Sequence, residues 1–192
     1  MSDYTLNLTQ ELIKSLDIIY GSTSIMDPQI CVEIGAFEGR GSIVIAERLC
    51  KNPKSKLYCI DPLDNEYVKG DKRLAFWDHA CVGQRGRFMK NTQSYSNIVL
   101  LEGVSDAMIP VLEDGTVDFV YIDGDHSPEQ VYKDAMNMWP KMKNGSILLF
   151  DDYLFVANGL KTADGIDKFL KEKEGSYTLL LKNWQLAVRV GV

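Results

Sequence analysis

Carboxylates collect at two places in this 192-residue sequence. Asp123, Asp125 and His126 close the run Val117-Asp118-Phe119-Val120-Tyr121-Ile122-Asp123-Gly124-Asp125-His126, and Asp151 and Asp152 close Ile147-Leu148-Leu149-Phe150-Asp151-Asp152-Tyr153. Carboxylate oxygens are hard donors that suit a divalent cation such as Mg²⁺. An imidazole, with a reference pKa of ~6.5, can exchange a proton near neutral pH. Runs this short, rich in Val, Ile and Phe and stopped by Gly or Asp, predict buried strands of a parallel sheet. Ligands of an open α/β sheet bind beyond the carboxyl ends of its strands. Neighbouring strands lie ~5 Å apart, so two acidic ends side by side could share one cation. A plainer reading stays open, with Asp123-Gly124-Asp125 as a turn, Asp151-Asp152 as a solvated loop start and His126 as a polar neighbour of the next helix.

Nearer the N-terminus stands Val32-Glu33-Ile34-Gly35-Ala36-Phe37-Glu38-Gly39-Arg40-Gly41-Ser42. A glycine-rich turn between a strand and a helix lets a nucleotide-like ligand approach the backbone closely. The spacing is G-x-x-x-G-x-G rather than G-x-G-x-x-G, with an acid two residues before the first glycine. A tight turn without any ligand is the alternative. Asp61 ends the next apolar run, Lys56–Asp61, where a carboxylate can accept hydrogen bonds from ribose hydroxyls. An Asp-Pro pair at a strand end also makes an ordinary turn.

The elements that must position these groups are legible as periodic segments. Residues 9–20 put Leu12, Ile13, Leu16, Ile19 and Tyr20 on one helical face, with Gly21 as the stop. Residues 30–35 predict a strand and 39–50 a helix packed through Ile43, Ala46, Leu49 and Cys50. Further strands are predicted at 56–61, 97–101, 117–123 and 146–150, and a terminal pair at 176–181 and 185–190. Residues 62–90 lack a clean period and predict a loop with one or two short helices; a short helix is predicted around 106–112 and another over 166–174. Ser127 and Gln130 flank Pro128 as a capping box, after which Val131, Ala135, Met138 and Met142 recur on one face. Alternating strands and helices predict a three-layer α/β/α sandwich.

Taken in order, the motifs resemble a known family. The acid-and-glycine loop resembles motif I of the class I S-adenosylmethionine-dependent methyltransferases, and the terminal strand pair resembles their Rossmann-like, seven-stranded, mostly parallel sheet with an antiparallel last strand. Glu102-Gly103-Val104-Ser105-Asp106-Ala107-Met108-Ile109-Pro110, followed by the Asp123 strand, resembles the adenine-contacting stretch and metal strand of the catechol and caffeoyl-CoA O-methyltransferases. The stretch from Asp118 to Tyr153 is similar to the macrocin O-methyltransferase-like group, and the resemblance spans residues 30–170.

This resemblance implies an S-adenosylmethionine-dependent, Mg²⁺-assisted O-methyltransferase acting on a hydroxyl of a small molecule. It implies that Glu33, Gly35, Ala36 and Phe37 line the methionine and sulfonium part of the cofactor, with Ser42 and Asp123 among the cofactor contacts. Asp61 would hold the ribose, and Ser105 and Asp106 the adenine edge. Asp123, Asp151 and Asp152 fall at the metal-ligand positions, the third being Asp where the family has Asn, which adds negative charge; Asp125 could replace one of them. His126 falls where the catechol enzyme has its catalytic Lys, implying a general base working beside Asp123. The catechol and caffeoyl-CoA enzymes carry a longer N-terminal region over the site, so their substrate choice does not carry over. A second subunit, in a homodimer, is one way the site could be completed.

The bulk numbers set outer bounds. The length suits one domain, residues 1–192, with 1–29 as an N-terminal helical cap on a 30–192 core. A formal net charge of −6 opposes a general phosphate-backbone binder, so no nucleic-acid partner is expected. No apolar run approaches the ~20 residues that span a bilayer, and no signal-peptide pattern follows Met1. The expectation is a cytoplasmic protein with no membrane partner. Cys31, Cys50, Cys59 and Cys81 show no CxxC spacing and read as buried free thiols. His79 beside Trp77 reads as core, the Lys and Arg of 69–90 as solvated surface, and Tyr153 and Phe155 as residues that could cover a substrate or cap the sheet. Two rivals remain. An NAD(P)-dependent oxidoreductase is weakened by the glycine spacing and the lack of a Tyr-x-x-x-Lys pair, and a non-catalytic S-adenosylmethionine-binding protein could share the fold.

Overall fold

The computed structural model describes residues 9–21, 28–63, 82–157 and 159–191. Apolar runs supply the strands: β1 Ile30–Ile34, β2 Lys56–Asp61, β3 Ile98–Glu102, β4 Val117–Ile122, β5 Met142–Phe150, β6 Val156–Ala157, β7 Leu160–Lys161, β8 Tyr177–Lys182 and β9 Leu186–Val190. Seven of them form one sheet in the order β3-β2-β1-β4-β5-β9-β8, while β6 and β7 make a separate hairpin. The first five pair in parallel, and β9 runs antiparallel to both β5 and β8. The expected mostly parallel seven-stranded sheet with an antiparallel last strand is therefore the observed one.

Both faces of the sheet are covered, which is why its inner strands are continuously apolar. One face packs Val32, Ile34, Val120, Ile122, Leu148 and Phe150 against Val131, Ala135 and Met138 of α5 (Pro128–Met138) and Ile166 and Phe169 of α6 (Thr162–Glu172). The other packs Cys31, Cys59, Phe119, Tyr121 and Leu149 against α1 (Gln10–Gly21), α2 (Arg40–Leu49) and Phe88 of α3 (Gln84–Thr92). The remaining helix among the described residues, α4 (Ser105–Met108), runs into a 3₁₀ turn over Ile109–Val111, where Pro110 lacks the donor needed to continue an α-helix.

Strand order reverses between β1 and β4, the topological switch point where an α/β sheet leaves a crevice. Register makes the strand ends level there: Ile34 lies opposite both Ile60 and Ile122, and Ile122 opposite Phe150. The backbone ladder then runs one residue past each strand. Gly35 donates to Ile60 (2.9 Å), Gly103 to Asp61 (3.0 Å), Asp123 to Ile34 (2.8 Å) and Asp151 to Ile122 (2.9 Å). Gly35, Asp61, Asp123 and Asp151 thus stand along one rim.

Several local expectations shift. α2 buries Ser42, Ile45, Ala46 and Leu49 rather than Ile43, so its inner face is rotated toward a polar residue that Glu33 needs. Met142 belongs to β5, because the chain turns through a 3₁₀ segment at Trp139–Lys141 containing Pro140. The capping box forms by half: Gln130 N–H donates to Ser127 Oγ at 3.4 Å, while the Gln130 side chain turns elsewhere. The β6–β7 hairpin is too short to show a period. Cys31, Cys50 and Cys59 are buried thiols as expected, with Cys50 Sγ 3.7 Å from Cys31 Sγ. Cys81, His79 and Trp77 lie outside the described residues, as does most of 62–90.

Helices α5 and α6 touch so closely that a Cβ on Gly165 would overlap the Pro128 carbonyl oxygen. Gly165→Ala is expected to destabilise the fold by about 2 kcal/mol through overpacking. Urea unfolding checks this: the midpoint should fall with an unchanged slope, and an unmoved midpoint would refute this packing.

Candidate active site

The turn after β1 is shaped by what the glycines leave out. Gly35 takes φ +89°, and a Cβ there would overlap the Asp123 carbonyl, so glycine is what lets the ends of β1 and β4 close together. A Cβ on Gly41 would run into Glu33 Oε1. Glu33 is 1% exposed and accepts hydrogen bonds from Ser42 Oγ and, at 3.5 Å, from Cys59 Sγ. Burial pushes its carboxyl up to about 7; the two hydrogen bonds oppose this and the charge of Asp61 adds to it. Glu33, Ser42 and Ala36 therefore lie beneath the turn, while Gly35 and Phe37 stay partly exposed on it.

Asp61 organises the adjoining rim. Phe37 N–H donates to its Oδ2 at 2.8 Å and Leu63 N–H to its Oδ1 at 2.7 Å, with Gln84 Nε2 at 3.4 Å. Phe37 and Leu63 both adopt positive φ (47° and 49°), a strained state for a side-chain-bearing residue. Burial raises the Asp61 carboxyl, and the backbone donors of Phe37, Leu63 and Ala36 pull it back. Leu63 and Gln84 occupy both lone pairs of Oδ1, so a further donor such as a hydroxyl would have to reach Oδ2.

Beyond β3, Ser105 Oγ donates to Asp134 Oδ1 at 2.6 Å, and Gln130 Nε2 reaches both Ser105 Oγ (3.2 Å) and Asp134 Oδ1 (2.9 Å). Asp134 is fully buried, its Oδ2 has no partner, and burial pushes it up to about 6 against those two donors. Asp106, by contrast, is exposed and accepts from Asn137 Nδ2 at 3.4 Å.

At the β4 and β5 ends, Asp123, His126 and Asp152 each offer a ligating atom within 4.8 Å of the others. His126 Nδ1 lies 3.3 Å from Asp152 Oδ2, its ring packs on Phe155 at 5.2 Å, and its carbonyl accepts from Thr162 Oγ1 at 3.0 Å. Asp152 takes φ +52° and accepts from Trp184 Nε1 at 2.9 Å. Asp151 accepts from Tyr121 OH (2.9 Å) and Gln185 Nε2 (2.6 Å), both from buried residues. Burial, then the charges of Asp151, Asp152 and Glu33, drive the Asp123 carboxyl well above the usual carboxylate range. Asp152 is raised by burial and Asp151, with His126 and Trp184 opposing. Carboxylates crowded this way demand protons or a bound cation. Asp125 is exposed and accepts the Ser127 N–H at 2.7 Å, a turn role.

The donors to this cluster escaped the sequence reading. Tyr121 carried a usable signal, since it lies two residues before Asp123 and strand periodicity puts both on one face. Trp184 and Gln185 carried none: the antiparallel pairing of Phe150 with Leu186 is what brings the β8–β9 turn to the β5 end. Tyr153 proves a core residue, its OH on Asp167 at 3.1 Å, while Phe155 does reach the site.

The raised Glu33 carboxyl makes a stability prediction for the ligand-free protein. Below its ordinary value of 4.5 the group is protonated folded and unfolded alike, so it costs nothing. As pH rises from 4.5 toward 7 the unfolded chain releases its proton first, and stability falls. Glu33→Gln should leave stability unchanged near pH 4 and raise it at pH 8 by on the order of 3 kcal/mol. Denaturant midpoints at the two pH values check this; an equal change at both would show that Glu33 folds without retaining its proton.

Comparison with known proteins bears on this geometry. A sequence model of the family described as "Methyltransferase domain" matches residues 32–153, from β1 through the Asp151-Asp152 pair. An uncharacterized protein, R132, of Acanthamoeba polyphaga mimivirus is 32% identical over 132 residues, covering 64% of this chain and 50% of that protein. The chain thus spans about half the length of this curated relative. Among solved structures, a putative caffeoyl-CoA O-methyltransferase from Staphylococcus aureus superposes with TM-score 0.62 at 16% identity over 100% of this chain and 86% of that one. TomG from Streptomyces achromogenes, an O-methyltransferase involved in tomaymycin synthesis and solved with SAM, gives 0.62 at 15% identity over 100% and 84%. These two share the fold. With more than half its length matched to the family, and with the glycine turn, Asp61 and the acidic strand ends gathered at one crevice, the chain belongs to the methyltransferase domain family.

Proposed function

We propose that this domain transfers a methyl group from S-adenosylmethionine to a hydroxyl oxygen of a small molecule, assisted by a divalent cation such as Mg²⁺. The observation that carries the reading is the concentration of Glu33, Asp123, Asp151 and Asp152 around one crevice, where burial and then the neighbouring charges raise the carboxyls of Asp123 and Asp152. A sulfonium and a divalent cation are the two positive charges that such a crevice suits. Asp61 supports a ribose subsite beside it, with two backbone donors fixing its carboxylate and Oδ2 as the oxygen that could take a further donor. Phe37 and Gly35 would border the methionine end, with Glu33 acting from beneath, and Ser105 and Asp106 would face the adenine.

The donor set fits a hard cation: carboxylates of Asp123 and Asp152 with Asp151 between them in sequence, and no Lys or Arg ion-paired to them among the described residues. A bound Mg²⁺ would orient the acceptor hydroxyl and lower its pKa. The chain's own part is positional. Tyr121 and Gln185 hold Asp151, Trp184 holds Asp152, and Phe155 and Thr162 fix His126. Methyl transfer breaks the sulfur–carbon bond as the oxygen–carbon bond forms in line, and His126 takes the hydroxyl proton. The 4.8 Å grouping of Asp123, His126 and Asp152 favours a second assignment, with His126 as a metal ligand.

In a screen of hydroxylated metabolites that reads S-adenosylhomocysteine release, EDTA should abolish turnover and Mg²⁺ restore it; activity indifferent to EDTA sinks the metal assignment. Asp123→Ala and Asp151→Ala should lower turnover at least about 100-fold, with S-adenosylhomocysteine affinity changing less than about threefold. His126→Asn separates the two roles. A base leaves Mn²⁺ affinity intact and removes the activity, whereas a ligand weakens Mn²⁺ binding as well.

A further inference from the structure

The Ser105 network does more than tie α4 to α5. A serine hydroxyl has one proton to donate, and here it points at Asp134 Oδ1, 2.6 Å away. Asp134 Oδ1 stays an acceptor whether the group is ionised or carries its proton on the unpartnered Oδ2. Gln130 Nε2 donates at 3.2 Å to the same serine oxygen and at 2.9 Å to Asp134, filling one of the serine's two lone pairs. Ser105 is left with one lone pair and no proton to give, on a partly exposed side chain just past β3, beside the strand that ends in Asp61.

We propose that Asp134, assisted by Gln130, is a positioning residue that fixes the Ser105 hydroxyl as a pure hydrogen-bond acceptor, so that the nucleoside subsite reads the 6-amino donor of adenine and rejects 6-oxo purines. The proposal rests on the reading of Ser105 as an adenine contact made above. A 6-oxo group would meet the Ser105 oxygen lone pair to lone pair, because turning the hydroxyl toward it would break the 2.6 Å hydrogen bond to buried Asp134 and leave that carboxyl with Gln130 as its donor. Neither Asp134 nor Gln130 need touch the nucleoside.

Calorimetry on the full chain with S-adenosylhomocysteine and with S-inosylhomocysteine, its 6-oxo counterpart, tests this. The wild type should bind the adenosyl compound at least about tenfold more tightly, the scale of one well-made hydrogen bond. Ser105→Ala and Asp134→Leu should shrink that preference to under about threefold. Asp134→Asn should keep it, since an amide oxygen still accepts from Ser105; should Asp134→Leu not fold, Asp134→Ala replaces it. A wild type with no preference, or one favouring the inosyl compound, overturns the proposal while leaving the cofactor reading intact. So does a full preference retained by Ser105→Ala or by the apolar Asp134 variant. Failure to bind either compound overturns both.

Discussion

Burial of carboxylates side by side at one low-dielectric rim, with the repulsion that burial leaves unscreened, is the constraint on which the rest of this structure depends. Glu33, Asp123, Asp151 and Asp152 come together because three parallel strands, β1, β4 and β5, end level where strand order reverses. The backbone ladder overruns each strand by one residue, so these side chains cannot spread apart without breaking main-chain hydrogen bonds. Folding thus gathers buried carboxylates whose crowding a cationic ligand would relieve.

The surroundings limit the cost with neutral donors. Ser42 and Cys59 donate to Glu33, Tyr121 and Gln185 to Asp151, and Trp184 to Asp152. Neutral donors steady a carboxylate without cancelling its charge, so the negative field survives for a ligand to use. Backbone strain follows the same logic. The residues other than glycine with positive φ, among those described, are Phe37, Leu63 and Asp152: two aim their N–H groups at Asp61 and the third belongs to the cluster itself. Strain is retained where it fixes a carboxylate of the candidate site.

Much of this scaffold was legible in the sequence, because its strands are buried on both faces and read as short apolar runs ended by Gly or Asp. The acidic ends, the glycine turn and Asp61 announced themselves by position along the chain. Other features depend on tertiary register and so leave no local trace. Gln185 and Trp184 reach the site only through the antiparallel pairing of β9 with β5. Gln130 suits a capping box by spacing, yet its side chain serves Ser105 and Asp134, a competition visible only once α4 and α5 are packed. The rotation of α2 that buries Ser42 in place of Ile43 has the same origin: Glu33 needs a donor more than the core needs another methyl group.

Binding of S-adenosylhomocysteine, measured by calorimetry against NAD and against Asp61→Ala, tests the central claim most directly. The account predicts one S-adenosylhomocysteine per chain, an affinity at least about tenfold weaker when the Asp61 hydrogen bonds to ribose are lost, and no heat from NAD. Binding of NAD with S-adenosylhomocysteine silent would contradict it.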